Sequence, residues 1–146
     1  MADQTTSAAN KEFVREFIER VFNEHNASLT GNYFSTDVKW HGGSVGTIEG
    51  SAAMTEFYAT LFTGLPDLNA ATLDIAAEGD TVWCRFVVEG TNESSLFGLP
   101  ATHKTVRWDE IDMYRFENGK IVEEWSSPDF TNVLHQLGAY TPPWIS

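Results

Sequence analysis

Two β-rich runs, Thr105–Phe116 and Ile121–Ser127, flank Glu117-Asn118-Gly119-Lys120. Asn-Gly between such runs is a strong short-range signal for a β-hairpin. This hairpin constrains the chain more than any other segment, because its register decides which side chains share a face. A two-residue type I′ turn places Asp112 opposite Trp125. A three-residue loop, with Gly119 in the left-handed position of a G1 bulge, places Asp112 opposite Glu124 and Glu110 opposite Ser126. In that second register one face carries Val106, Trp108, Glu110, Asp112 and Tyr114 with Val122, Glu124 and Ser126.

Such a face sets three carboxyl groups among Trp and Tyr. Directly opposed like charges on adjacent strands are destabilising unless a proton or a cation intervenes. If the face lines a cavity, Asp112 and Glu124 share a proton, and one of them is raised into the range useful for general acid–base work. If the face is solvated, the carboxylates pair with Lys104, Arg107 or Arg115. Both readings stay open on the residues alone.

The remaining chain supplies helices and further strands. Phe13, Val14, Phe17, Ile18, Val21 and Phe22 recur at the spacing of one helical face, after a small, polar lead-in at residues 1–10 that reads as frayed. A second helix is carried by Met54, Phe57, Tyr58, Leu61 and Phe62, with Ser51 as its N-cap and Gly64 and Pro66 at its end. A third starts at the cap residue Asp129, runs through Phe130, Val133, Leu134 and Leu137, and stops at Gly138. Val38 and Trp40 alternate with Lys39 and His41, Leu73 and Ile75 alternate ahead of the turn residues Glu78-Gly79-Asp80, and Val82–Val88 is β-rich. A loop from about Thr91 to His103 precedes the hairpin. Helices first, then an antiparallel meander, then one short helix predict an α+β fold: a curled antiparallel sheet with helices on one face. The length, 146 residues with 42% hydrophobic content, suits a single domain, 1–146, with 139–146 as a tail.

Composition narrows the function classes. A formal net charge of -12 disfavours nucleic acid and anionic membrane surfaces. The single cysteine, Cys84, cannot form an internal disulfide, and no Cys/His spacing suggests a metal site. No apolar stretch approaches the roughly 20 residues that span a bilayer, and the first residues lack the pattern of a secretion signal. A soluble, cytoplasmic protein is expected. No nucleophile elbow, phosphate-binding glycine loop or dinucleotide fingerprint is present, so neither covalent catalysis nor a cofactor is expected. Among the histidines, His41 follows Trp40 at a strand end, where it suits either a cavity mouth or a surface turn. His25, His103 and His135 read as structural or exposed. The aromatic complement, 10 Phe, 5 Trp and 4 Tyr, exceeds what the helical stripes use. Tyr33, Trp40, Phe86, Trp108 and Tyr114 fall on strands or at their ends, where a sheet curled around an apolar cavity presents them to a flat hydrophobic ligand.

Four segments carry a resemblance: Phe62–Leu68 (Phe-x-x-Leu-Pro-Asp-Leu), Leu96–Lys104 (Leu-Phe-Gly-Leu-Pro-Ala-Thr-x-Lys), Tyr114–Ile121 (Tyr-Arg-Phe-x-x-Gly-Lys-Ile) and Pro128–Gly138 (Pro-Asp-Phe…Gln-Leu-Gly). In this order and spacing the chain, from Phe13 to Gly138, resembles the SnoaL-like polyketide cyclases of the nuclear transport factor two-like superfamily. The resemblance implies a cone of curved sheet closed by helices around a deep apolar pocket, usually in a homodimer packed through the sheets. It also implies cofactor-free acid–base chemistry on a polyketide- or terpenoid-like molecule, and it favours the three-residue hairpin loop. Aligned through Gly-Lys-Ile and Pro-Asp-Phe, the family's catalytic aspartate falls on Ser126 and its histidine on Asp112, so both identities have changed.

The expectation is therefore an enzyme of the cyclase, isomerase, hydrolase or dehydratase type, with Asp112 and Glu124 as acid and base. Glu110 and Ser126 orient, His41 donates from the mouth, and Tyr33, Trp40, Phe86, Trp108 and Tyr114 hold the substrate. The alternative is a non-catalytic module of the same fold that carries a small molecule or docks a protein. Whether the three acids line a closed pocket or an open charged surface discriminates the two. Ile111 and Met113, on the opposite face with Trp125 nearby, independently suggest a homodimer.

Overall fold

The computed structural model describes residues 4–145. Helix α1 (Gln4–Phe17) continues as a π-helical turn, Ile18–Asn23, and a single 3₁₀ turn (Ala27–Leu29) leads into the short α2 (Thr30–Tyr33). Strands β1 (Phe34–His41) and β2 (Thr47–Glu49) precede α3 (Ser51–Gly64). Then come β3 (Asn69–Glu78), β4 (Thr81–Thr91), β5 (Thr105–Glu117), β6 (Lys120–Pro128) and α4 (Phe130–Gln136). The strands form one six-stranded sheet in the order β2-β1-β6-β5-β4-β3. The expected α+β class is observed. The meander β3 to β6 is antiparallel as expected, but β1 joins β6 in parallel, because the chain crosses from the first strand to the meander through α3.

Alternation on the central strands builds the core. Val82, Cys84, Phe86 and Val88 of β4 and Val106, Trp108, Asp112 and Tyr114 of β5 are all buried on one face. Against them α1 lays Val14 and Phe17, and the π-turn lays Ile18 and Val21. α3 adds Met54, Tyr58, Leu61 and Phe62. The Asn23 side chain pairs with the backbone of Ala70 through Nδ2 to O at 3.1 Å and N to Oδ1 at 2.8 Å, which pins the π-turn to β3.

The hairpin follows neither expected register. Asn118 and Gly119 both have positive φ, 50° and 73°, as a type I′ turn requires, and Glu117 pairs with Lys120 and Phe116 with Ile121. A bulge then shifts the register, so that Arg115 faces Glu123, Tyr114 faces Glu124 and Asp112 faces Ser126. The extra residue, Val122, turns to the outer face, contrary to the expectation that it shares the acids' face. One inserted residue exchanges inside and outside, so Ile121 before the bulge and Glu124 after it both point inward.

Other boundaries differ as well. Residues 4–10 belong to α1 rather than to a frayed lead-in, and residues 1–3 lie outside the described residues. The cap residue of α3 is Gly50, at φ 92°, and no side chain caps that helix, so Ser51 is its first residue instead of its N-cap. Asp129 caps α4 as expected, accepting from the Asn132 N–H at 3.2 Å. A bulge between Thr72 and Asp74 breaks the alternation of β3 and leaves Leu73 exposed. Tail residues Tyr140 and Trp144 are exposed, and no tail residue among those described lines the cavity.

Gly42, just beyond β1, sets the position of Trp40: a Cβ there lies 2.1 Å from the indole ring. Gly42→Ala therefore forces the Trp40 ring to move. The expected cost is about 1–3 kcal/mol, as for other overpacking substitutions, read from urea unfolding and accompanied by a changed tryptophan emission spectrum. Unaltered stability and emission contradict this placement.

Candidate active site

The concave face of the sheet and the helices enclose a cavity of about 70 Å³. A single water needs only about 10–15 Å³, so the space exceeds a single-water void. Its walls are apolar: Phe17, Ile18 and Phe22 from the first helix, Phe57, Tyr58 and Leu61 from α3, and Trp40, Phe86 and Trp108 from the sheet. The π-turn contributes both Ile18 and Phe22 to the helix wall. At the mouth the loop between β4 and β5 contributes Phe97, which stacks on Phe57 with ring centroids 6.0 Å apart and meets Phe130 edge-on at 5.5 Å. Buried Asn92 ties this loop together, accepting from the Thr102 N–H at 2.8 Å and donating to the Ser94 carbonyl at 2.7 Å.

The polar floor consists of Glu110, Asp112, Glu124 and Ser126. Period-two alternation brings Glu110 and Asp112 of β5 to one face, and the bulge at Val122 restores Glu124 and Ser126 to it. The parallel pairing of β1 sets Trp40 beside Glu124. The three acids are held differently. Glu110 accepts at both oxygens, from Trp108 Nε1–H at 2.9 Å and from the Ser126 hydroxyl at 2.8 Å. Asp112 accepts from the Tyr114 hydroxyl and from the Ser127 N–H, each at 3.3 Å. Glu124 is only 2% exposed, and its Oε2 has no hydrogen-bond partner.

Burial dominates the electrostatics. It raises Glu110 above the usual carboxylate range, against the pull of the Trp108 and Ser126 hydrogen bonds. It raises Asp112 much further, helped by the negative charges of Glu110 and Glu124 on either side. Glu124 is pushed up to about 8 by burial, with Glu110 adding to the shift and hydrogen bonding from Asp112 and Trp40 opposing it. Tyr58 and Tyr114 are raised well above their ordinary range, chiefly by burial, and remain neutral donors. Near neutrality the cluster thus retains protons, shared among coupled carboxyls, with Glu124 poised to titrate.

Two residues expected at the site lie elsewhere. His41 points to the outer face, because it follows inward Trp40 on a pleated strand. It bonds Glu123 Oε2 through Nε2 at 2.7 Å and stacks on Trp125. Tyr33 packs against Phe13 and Phe17, and its hydroxyl donates to Glu16 at 3.1 Å. Trp40, Phe86, Trp108, Tyr114 and Ser126 line the cavity. Phe57, Tyr58, Phe97 and Phe130 line it too and were not anticipated as site residues. Helical spacing marks Phe57, Tyr58 and Phe130 as buried without separating core from cavity wall. Among the described residues, no group of three or more His, Cys, Asp or Glu is arranged to hold a metal ion, and no helix is long and apolar enough to cross a membrane.

Comparison with known proteins is consistent with this geometry. The sequence profile of the SnoaL-like polyketide cyclases matches residues 12–137. A search of curated proteins found no match. Among solved structures, a candidate SnoaL-like polyketide cyclase from Jannaschia sp. CCS1 superposes with a TM-score of 0.85 at 19% identity, covering 93% of this chain and 95% of that one. AclR, a candidate hydroxylase from Streptomyces galilaeus, gives 0.81 at 26% identity, covering 92% and 99%. IdmH, a candidate polyketide cyclase from Streptomyces antibioticus, gives 0.74 at 25% identity, covering 87% and 96%.

The raised carboxyls have a thermodynamic consequence. A group whose folded pKa exceeds its unfolded value holds its proton longer in the fold, so its contribution is complete below the unfolded value and is lost as pH rises through the folded one. For Glu124 that window runs from 4.5 to about 8. Unfolding free energy is expected to fall across this window, with a slope of up to about 1.4 kcal/mol per pH unit for each proton involved. Glu124→Gln is expected to flatten the slope in urea titrations, and an unchanged slope contradicts the assignment.

Proposed function

Because the chain belongs to the SnoaL-like polyketide cyclase family, we propose that it is a cofactor-free acid–base enzyme acting on a hydrophobic, carbonyl-bearing small molecule of polyketide or terpenoid type. The observation that carries this reading is the buried carboxyl cluster of Glu110, Asp112 and Glu124, with Oε2 of Glu124 unpartnered among the described residues, on the floor of a cavity whose walls are apolar. A polar atom left without a partner costs free energy that a ligand atom recovers on binding.

In this reading the walls seat the apolar body of the substrate and the floor performs the chemistry. Glu124, once ionised, takes a proton from the carbon next to the carbonyl through its free Oε2. Asp112, kept neutral by burial and by its acidic neighbours, donates a proton to the carbonyl oxygen as negative charge develops there. Glu110, anchored at both oxygens by Trp108 and Ser126, orients the pair. The resulting enol is the common first product for cyclisation, isomerisation or dehydration. Of the non-catalytic alternatives, the protein-docking form needs its acids on an open surface, whereas Asp112 and Glu124 are buried among aromatic rings; the small-molecule carrier form shares the pocket and differs in leaving its ligand unchanged.

The outer face of the sheet supports a second element of the proposal, a homodimer. Trp83, Met113 and Trp125 form a row across three neighbouring strands, and Ile111 beside them is 54% exposed. An apolar stripe of this kind is what a twofold sheet-to-sheet contact covers.

Asp112→Asn and Glu124→Gln are each expected to lower kcat by roughly 10²–10⁴-fold, the usual contribution of a positioned acid or base, with the fold retained by circular dichroism. The wild-type rate is expected to climb with pH through about 8, as Glu124 ionises. Full activity in both variants contradicts the assignment. Sedimentation at micromolar concentration is expected to give twice the chain mass, and Ile111→Asp to give the single mass; a monomeric wild type contradicts the dimer.

A further inference from the structure

The cavity can carry ionic charge of only one sign. Its lining includes Glu110, Asp112 and Glu124 and no Lys, Arg or His. Around the acids stand Trp40, Tyr58, Phe86, Trp108 and Tyr114, aromatic rings whose faces attract cations. Glu124, 2% exposed, is among the residues that line this space, and its Oε2 has no hydrogen-bond partner among the described residues. The chain as a whole carries a net charge of -12, so the field outside the mouth also draws cations inward.

From this arrangement we infer that the ligand of the cavity bears a protonated amine, which docks against Glu124 and Asp112 while its flat apolar part lies between the aromatic walls. The inference rests on the catalytic reading only in placing the substrate at this site; it adds the charge that the substrate carries. A metal ion is a poor alternative occupant, since the acids are not arranged as a metal-binding group among the described residues. An ammonium group on an apolar body matches both surfaces: it supplies N–H donors for the free carboxyl oxygen and a hydrocarbon face for the rings.

Bringing a cation among buried carboxyls favours their ionised forms. The groups around Glu124 are Glu110, Asp112 and Tyr114 on β5, Tyr58 on α3 and Trp40 on β1, and Cys84 on β4 lies across from Asp112. The tyrosines stay neutral, and burial pushes the Cys84 thiol up to about 12. The acids are therefore the groups that lose a proton when the cation arrives. Binding an ammonium is accordingly accompanied by release of a proton from the cluster to solvent.

Isothermal titration calorimetry with three probes of one shape tests this: 1-naphthylmethylammonium, neutral 1-naphthylmethanol and anionic 1-naphthoate, at pH 7. The expected result is an ammonium affinity at least about tenfold above the alcohol, with the carboxylate weakest, as unscreened charges in a dry site require. Repeating the ammonium titration in buffers of different ionisation enthalpy is expected to reveal proton release by the wild type, and Glu124→Gln is expected to reduce both the release and the preference. Equal affinity for the alcohol, absence of proton release, or no ammonium binding up to millimolar concentration overturns the inference. These readouts require no turnover: loss of activity in Asp112→Asn alongside equal affinities refutes the charge preference and leaves the acid–base chemistry standing.

Discussion

Three carboxyl groups on the inner face of one hairpin are tolerable only if protons or donors go inside with them. That constraint organises the rest of the structure. Glu110 is answered by Trp108 and Ser126, and Asp112 by Tyr114 and the Ser127 backbone. Glu124 retains one oxygen, Oε2, with no hydrogen-bond partner among the described residues. Burial against α1 and α3 takes the acids out of bulk solvent, and the cluster answers its own charge by holding protons. In the proposed reaction the same burial suits them to act on a carbonyl compound.

The hairpin register determines whether this cluster exists. Without the bulge at Val122, Ile121 and Glu124 fall on opposite faces, and either a core residue or the acid is lost from the interior. With it, Asp112 lies directly across from Ser126 and Tyr114 across from Glu124. The two positions onto which the family resemblance maps its histidine and aspartate, Asp112 and Ser126, are thus immediate cross-strand neighbours. The parallel strand β1 completes the site by laying Trp40 next to Glu124 and sending His41 outward to Glu123 and Trp125.

Much of this was legible in the sequence, and the exceptions have physical causes. Asn118-Gly119 announces the turn, and Asp129 and Gly138 announce both ends of α4, because each residue satisfies a local backbone requirement. The shared face of Glu110, Asp112, Glu124 and Ser126 follows from period two, although the register behind that inference was displaced. A bulge is set by packing across the sheet, and nothing local in Ile121-Val122-Glu123 marks one. His41 was read at a cavity mouth, yet the pleat that turns Trp40 inward turns its neighbour out. The cavity-lining roles of Phe57, Tyr58, Phe97 and Phe130 depend on how α3, the loop and α4 meet over the sheet, which no short window encodes.

The account turns on the protonation of the buried acids, and carboxyl carbon NMR of the wild-type protein across pH 3 to 10 observes it directly. The prediction is that Glu124 titrates near 8 and that Asp112 and Glu110 both titrate above the ordinary carboxylate range. Titration of all three near the ordinary carboxylate value of about 4 places the cluster in water and contradicts the account.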